Sequence, residues 1–162
     1  MAFLCVFCVV IMVLVLCTPK KEKGEFIPPP FEVNAVSGVP TVDERFGYGE
    51  IYRNGMAFSA WICGNVTIEG NNARLYFTNP PNNTVWLKIR IMDTEGSILG
   101  ESGILKPGEY VELVTLGSEL DVGTKISLKI MAYEAETYRS EGAVVLNTAI
   151  GKNKKERILI LE

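Results

Sequence analysis

The residues that could carry out chemistry are few, because this chain of 162 residues contains no histidine. Without histidine, Ser-His-Asp and Cys-His nucleophile systems and nearly all zinc, copper and non-haem iron sites are excluded. The 19 acidic residues show no paired spacing around a cleft motif. A nucleophile elbow and a glycine-rich phosphate loop are also missing from the sequence. The sequence therefore predicts that the chain is not an enzyme and has no catalytic residue, no metal site and no cofactor. A hydrolase that uses carboxylates alone is the remaining catalytic alternative.

Cys63 is the one thiol in the body of the chain, since Cys5, Cys8 and Cys17 lie in the apolar N-terminal segment. A single thiol cannot form a disulfide within the domain, so the fold must be stabilised by its core. Free cysteine is among the most buried residue types. We therefore interpret Cys63 as a small apolar residue on a strand, with a reactive thiol as the alternative.

Three acidic residues, Asp93, Glu95 and Glu101, could supply oxygen ligands to calcium. A lone D-x-E-G stretch is far shorter than the ligand ladder of a calcium loop. Asp and Gly are also the residues that a hairpin turn requires, so the turn is the favoured interpretation of Asp93 to Gly96.

Two groups of side chains are candidates for a binding surface. A basic sheet face for an acidic polymer would use Lys88, Arg90, Lys125 and Lys129, although such residues more often form the solvated side of a strand. An exposed aromatic patch for carbohydrate or protein would use Trp61, Tyr76, Trp86 and Tyr133, with core or cross-strand packing as the default alternative. The net charge of −3 is small, and nucleic acid is not expected as a partner.

The first 17 residues form an uncharged apolar segment that is predicted to be a helix acting as a signal or membrane anchor. The 16 residues after Met1 would span about 24 Å as a helix, somewhat less than the hydrocarbon core of a bilayer. Leu14 to Cys17 resembles a bacterial lipoprotein signal, which makes Cys17 the candidate lipid attachment site, although Leu16 stands where a small residue is expected. The alternative is an uncleaved helix. By the positive-inside rule, Lys20, Lys21 and Lys23 would favour a cytoplasmic body. A basic region preceding Met1 would outweigh these lysines as a topology signal. We therefore expect the domain to face outside.

Residues 18–54 are predicted to be a spacer, because Pro28 to Pro30 favours extended polyproline II structure and no sustained periodicity follows. From residue 55 to residue 150 apolar residues alternate with polar ones in short runs separated by turn residues. About seven strands at intervals of roughly 8–12 residues are typical of an antiparallel β-sandwich. Its predicted core contains Leu75, Phe77, Leu87, Ile89, Ile91, Leu113, Leu128, Ile130 and Leu146. Residues 151–162 are predicted to be a tail, either an added edge strand or a frayed end.

A set of residues, most of them in turns, has a characteristic order along the body of the chain. They are Asn79-Pro80, Asn83, Asp93 to Gly96, Ser102-Gly103, Pro107-Gly108, Leu120, Gly123 and, at the end of the following strand, Ala132-Tyr133. With these residues the segment from about Asn65 to Ile150 resembles small, largely uncharacterised membrane-anchored surface proteins of Gram-positive, mainly gut, bacteria. The resemblance implies an anchor, a variable spacer and one Ig-like β-sandwich domain, with Lys125 standing where an aromatic residue would be expected. It implies no catalytic or binding residue.

These features predict a non-catalytic, extracytoplasmic, membrane-tethered β-sandwich module for binding or adhesion at the cell surface. The expected partners are the membrane, through the N-terminal segment, and an envelope protein or polysaccharide. The alternative is a structural subunit of an envelope or secretion assembly that is joined by edge-strand pairing. An exposed aromatic patch would favour the first function, and a long, flat, uncharged edge strand would favour the second.

Overall fold

The computed structural model describes residues 26–51, 55 and 57–152, and this part of the chain is all-β as predicted. It contains ten strands, with one short 3-10 helix, Glu44–Phe46, between the first two. The strands are β1 Val36–Ser37, β2 Tyr48–Ile51, β3 Ala60–Cys63, β4 Val66–Glu69, β5 Asn72–Asn79, β6 Val85–Met92, β7 Ile98–Glu101, β8 Glu109–Thr115, β9 Lys125–Glu134 and β10 Ser140–Gly151. Within these residues there is no helix long and apolar enough to cross a membrane.

Several predictions fall outside the described residues. These are the N-terminal helix of residues 1–17, the lipid attachment site Cys17, the first part of the spacer, and the tail beyond Lys152.

The strands form one mixed sheet that curls into a half-barrel, in the order β1-β8-β5-β4-β10-β9-β6-β7. Strand β3 joins the sheet beside β5, and β2 pairs with β3. We refer to β1–β5 with β8 as the large half, and to β6, β7, β9 and β10 as the small half. The two halves are linked because β10 follows β9 along its length and then pairs with β4 through Ile150 and Gly151. That last pair is parallel, so the sheet is not purely antiparallel as the alternation had suggested.

The period-two pattern sets which side chains enter the core. In β6, Val85, Leu87, Ile89 and Ile91 are all buried, and both halves of the sheet contribute to one apolar cluster. Burying this face gives the sheet a fixed register, because a shift of one residue would turn the whole apolar set to solvent. Of the nine predicted core residues, seven are buried, the exceptions being Leu113 and Leu146, which are half-buried.

A bulge explains why Leu113 is not in the core. The pairing of β5 with β8 shifts between Arg74 and Phe77, and Tyr76 in this stretch has a φ of 47°. An extra residue in one strand locally rotates the pair. As a result Val111 and Val114, which are three residues apart, are both buried, and Leu113 is displaced from the core.

Residues of the predicted spacer lie against the sheet where the structure describes them. Strand β2 pairs with β3 over four residues, and Phe31 forms a parallel bridge with Ile104. The Glu32 carboxylate accepts a hydrogen bond of 2.7 Å from the Gly103 N–H. Gly103 has to be glycine, because a Cβ there would lie 2.5 Å from the Glu32 nitrogen. The described residues 31–51 are therefore in contact with the strands, while the division of the whole chain at residues 18, 55 and 151 stays a prediction.

Candidate functional site

The four aromatic residues predicted from the sequence do not form one patch. Trp86 in β6 and Tyr133 in β9 are direct cross-strand neighbours in the small half. Trp61 in β3 and Tyr76 in β5 belong to the large half. The four residues therefore contribute to separate surfaces.

Trp86 is the centre of an aromatic cluster formed with Phe26, Phe31 and Tyr138. The Trp86 ring lies 5.0 Å from the ring of Phe31 and 5.3 Å from that of Tyr138, both edge-on. Phe26 packs on Tyr138 with ring centroids 6.0 Å apart. Phe26 and Phe31 are 64% and 40% exposed, so the cluster has a large apolar surface open to solvent. Edge-on contacts of this kind stabilise the rings in fixed positions.

The backbone of Tyr138, one member of the cluster, has a strained conformation. Tyr138 has a φ of 57° in the turn between β9 and β10, and its N–H donates to the Glu134 carbonyl at 3.1 Å. A left-handed conformation in a residue with a Cβ costs about 1–3 kcal/mol. Two aromatic contacts, each contributing about 0.5–1.5 kcal/mol, offset this strain. The turn thus holds a large aromatic side chain at a position where glycine or asparagine would be favoured.

Charged groups lie next to members of the aromatic cluster, in space or in the sequence. The Lys106 ammonium lies 4.8 Å from the centre of the Phe31 ring, which is within cation–π distance. Arg139, which follows Tyr138 in the sequence, forms ion pairs with Glu141 at 3.0 Å and with Glu134 at 3.5 Å. An apolar surface with charged groups at its margin is typical of a site that binds another molecule.

Sequence reasoning found Trp86 but missed three members of this cluster. Phe26 and Phe31 lie in the segment that was predicted to be a spacer, and Tyr138 lies in a turn. The signal available in the sequence was the placement of aromatic residues in segments rich in proline or polar residues, where no strand face would bury them.

The aromatic residues of the large half have a different arrangement. Trp61 packs edge-on against Tyr48 with centroids 6.1 Å apart, and the Tyr48 hydroxyl is hydrogen-bonded to that of Thr78 at 2.6 Å. The Tyr76 hydroxyl donates to Glu112 at 2.9 Å. Burial, together with this hydrogen bond and the charge of Glu112, raises the pKa of Tyr76. The hydroxyl groups of Tyr48 and Tyr76 thus form hydrogen bonds within the chain, and Trp61 packs on a neighbouring strand. This arrangement corresponds to the default interpretation, which was packing between strands.

The predicted basic face is interrupted by ion pairs. The Lys88 ammonium lies 2.8 Å from Glu101, and the Arg90 guanidinium contacts the other oxygen of the same carboxylate at 2.9 Å. Lys88 is only 5% exposed, although the alternation in β6 places it on the side away from the core. Burial alone would raise the pKa of Glu101, but the hydrogen bonds and charges of Lys88 and Arg90 outweigh it and lower the pKa. Lys88 and Arg90 therefore share one carboxylate within the chain, and this cluster keeps one net positive charge.

The Asp93 to Gly96 segment forms a turn between β6 and β7. One oxygen of the Asp93 carboxylate accepts hydrogen bonds from the N–H groups of Ser97 at 2.8 Å and Glu95 at 2.9 Å. Backbone hydrogen bonding, chiefly from Ser97, lowers the pKa of Asp93. In residues 26–51, 55 and 57–152 no group of three or more His, Cys, Asp or Glu side chains is placed to hold a metal ion.

A second surface feature is a groove of about 300 Å³ between β2 of the large half and β10 of the small half, which we call the seam. Its apolar lining includes Ile51, Ile62, Cys63, Leu128 and Leu146. Burial raises the pKa of the Cys63 thiol to about 12, against a smaller opposing effect of the Arg74 charge. Cys63 is 1% exposed, in agreement with an apolar residue on a strand.

Beside the seam, β10 has an open edge. Residues 140–149 pair with β9 on one side, and on the other side the described part of the chain offers only β4, which reaches Ile150 and Gly151. The stretch Ala143 to Ala149 contains no charged residue and no proline. Val145 in its middle is 47% exposed. Charged residues and proline commonly protect strand edges from pairing with other chains, and this edge has neither.

Comparisons with known proteins give a limited result. Neither a protein-family model nor a curated protein matches the chain. Among solved structures it is similar to a β-glucuronidase from Ruminococcus gnavus in complex with D-glucaro-d-lactam, with a TM-score of 0.36 and 16% identity over 59% of this chain and 18% of that one. The same enzyme in complex with uronic isofagomine gives a TM-score of 0.35 and 15% identity over 59% of this chain and 17% of that one. The chain thus spans less than a fifth of the solved chains it matches.

The prediction that this chain is not an enzyme is corrected by these matches, because the solved chains are enzymes by name. Missing histidine excludes particular catalytic systems, but it does not exclude catalysis by carboxylates. A likeness of this size is too weak to assign an activity to the chain.

Proposed function

We propose that this chain is a membrane-tethered surface protein of the Gram-positive type it resembles, whose β-domain faces outside the cell and binds an envelope protein or polysaccharide. An Ig-like β-sandwich is the architecture we propose for the domain. Support for a sandwich comes from the shared core between the two halves of the sheet. Support for the tether comes from the uncharged sequence of residues 2–17.

The aromatic cluster carries the binding proposal. Its exposed rings, Phe26 and Phe31, offer apolar contact area that is fixed by packing on Trp86 and Tyr138. Aromatic side chains are enriched at binding surfaces because they bury much area and lose little conformational freedom on binding. Tethering raises the local concentration of any envelope partner, so a weak interface is sufficient.

The binding test compares Phe31→Ala with Val33→Ala in the full chain. Phe31 contacts Trp86, whereas Val33 is 91% exposed two residues later and is outside the ring contacts. We expect cell-wall preparations from a Gram-positive bacterium to retain the wild-type protein and the Val33 variant in a sedimentation assay, and to retain at least about tenfold less of the Phe31 variant. Equal retention of all three proteins would contradict a role for the cluster.

The location test uses protease on intact cells. A domain outside the membrane is degraded without lysis, whereas a domain that is protected until the membrane is opened faces the cytoplasm and refutes this proposal. Labelled palmitate, incorporated into the wild type and lost in Cys17→Ser, would distinguish a lipoprotein from a plain anchor.

A second candidate function is a structural subunit of an envelope or secretion assembly. The observation that favours it is the open, uncharged edge of β10 beside the seam. Exposed edges of this kind accept strands from other chains through backbone hydrogen bonds.

A further inference from the structure

The backbone direction of β10 shows which of its groups are free to pair. The Ile150 N–H donates to the Thr124 carbonyl at 2.9 Å, and the Ile150 carbonyl accepts from Gly123 at 2.8 Å, so Ile150 points toward β9. The register between β10 and β9 is unbroken from Gly142 to Ala149. Because backbone groups alternate along a strand, Ala143, Val145 and Asn147 direct their N–H and C=O groups away from β9, toward the seam. None of these groups has a strand partner among the residues that the structure describes.

The side chains of the same strand define what an added strand would bury. Leu146 and Leu128 line the seam from the small half, and Ile51 and Ile62 line it from the large half. Glu50 is the one charged residue in this lining. A strand beside β10 would therefore place every second side chain into an apolar groove with a single acidic residue.

The chain itself contains a segment with this chemistry. After Lys152 the sequence continues with the charged residues Lys154, Lys155, Glu156 and Arg157 and then the apolar run Ile158 to Leu161, all outside the described residues. Six extended residues span about 20 Å, close to the length of the open edge from Ala143 to Ala149. The apolar run suits the groove, and the three basic residues before it, which outnumber Glu156, suit the acidic Glu50.

The end of β10 runs away from the seam of its own molecule. Ile150 and Gly151 run parallel to Val66 and Thr67, so the chain leaves the described part heading along β4. The seam lies in the opposite direction, beside Leu146.

We propose that the open edge of β10 accepts residues 156–161 of a second copy of this chain as an added strand, whose alternate apolar side chains fill the seam. The proposal rests on the second candidate function and deepens it by naming the partner. Reciprocal exchange of tails between two copies would close a dimer, whereas entry of each tail into the seam of the next copy would build rings or open chains.

Cross-linking between two differently tagged copies tests this proposal. Both are full chains in detergent with Cys5, Cys8 and Cys17 replaced by Ser, while Cys63 stays buried. The acceptor copy carries Asn147→Cys, and the donor copies carry a single cysteine in turn at positions 157 to 160. A short bifunctional thiol reagent should join the two tags with a period of two along the tail, because alternate residues of a strand face the same side. An acceptor with Asn82→Cys, in the exposed loop between β5 and β6, measures random collisions.

Two acceptor variants then test the edge itself. Val145→Pro removes an N–H that points to the seam and is compatible with an edge strand, whereas Val145→Thr keeps that N–H. We expect the proline variant to lower cross-linking about tenfold and the threonine variant to leave it unchanged. Unchanged tryptophan fluorescence of each variant establishes that it is folded.

A further variant carries Asn147→Cys and one tail cysteine in the same chain. Three results would overturn the proposal: no cross-link above the Asn82 control, cross-links without a period of two, or a cross-link within this double variant with none between separate copies. The assay uses purified protein and does not involve the aromatic cluster. Its failure therefore leaves the binding and location tests of the proposed function unaffected.

Discussion

The ion-pair cluster on the outer side of the small half gives the sharpest prediction about stability. Glu101 accepts hydrogen bonds from Lys88 at 2.8 Å and from Arg90 at 2.9 Å. Lys88 is buried, so this carboxylate, rather than water, is the partner of its ammonium group. Replacing Glu101 by Gln keeps the shape of the side chain but removes its charge.

The expected loss follows from the burial of each partner. Breaking a fully buried ion pair costs about 3–5 kcal/mol, because one charge is left without a partner. The Glu101 side chain is 38% exposed, so water partly replaces it. We therefore expect Glu101→Gln to lower the free energy of unfolding by about 2 kcal/mol, close to the value of a hydrogen bond to a charged group.

The pH dependence has a defined sign. The pKa of Glu101 is lower in the folded chain than the usual value of a glutamate. Its contribution to stability is thus fully present above about pH 4.3, and is lost as the pH falls through the lowered pKa of the folded state. The wild type should lose more stability than Glu101→Gln in this acidic range, so the difference between the two should shrink.

Urea unfolding followed by the fluorescence of Trp61 and Trp86 measures both effects. Glu95→Gln is the matched control, since Glu95 lies in the neighbouring turn, is exposed and has no ion pair within the described residues. The control should stay within about 0.5 kcal/mol of the wild type. If Glu101→Gln is equally neutral at pH 7, the carboxylate does not stabilise Lys88 and the reasoning is refuted.

Three further predictions follow from the fold. Leu128→Ala should lower the free energy of unfolding by about 2–5 kcal/mol and Leu113→Ala by clearly less, because Leu128 is 2% exposed and Leu113 is displaced from the core. Equal losses in urea unfolding would argue against the bulge. Glu136→Gly should stabilise the domain by about 1 kcal/mol in the same assay, because Glu136 has a φ of 66° and glycine adopts this conformation without strain. A loss of stability in this variant would contradict the strain at position 136. In a chain with Cys5, Cys8 and Cys17 replaced by Ser, Cys63 should react with a thiol reagent at pH 8 only after unfolding, because burial raises its pKa to about 12. Rapid labelling of the folded protein would contradict this prediction.

The core of the fold was predictable because it depends on local alternation. Leu87 and Ile89 lie on the apolar side of an unbroken period of two, and both are fully buried. The bulge beside Tyr76 was not predictable, since it depends on the pairing of two strands that are distant in the sequence. The burial of Lys88 also escaped prediction, because β7 and not β6 supplies the carboxylate that pairs with it.

The candidate site was predicted only in part, for the same reason. Trp86 was identified from its place on a strand, whereas Phe31 and Tyr138 reach it from segments that have no strand pattern. The exclusion of an enzyme was drawn from composition, which limits the available catalytic groups but does not show how acidic residues are arranged in space.

By itself the sequence determined the all-β class, most of the core and the positions of the turns, because these depend on side-chain polarity and backbone preference over a few residues. Only the tertiary structure decided that the sheet is mixed and curled, that β10 keeps an open edge beside the seam, and that four aromatic rings meet at one surface. These features arise where distant segments approach each other, and no short-range pattern records which segments will do so.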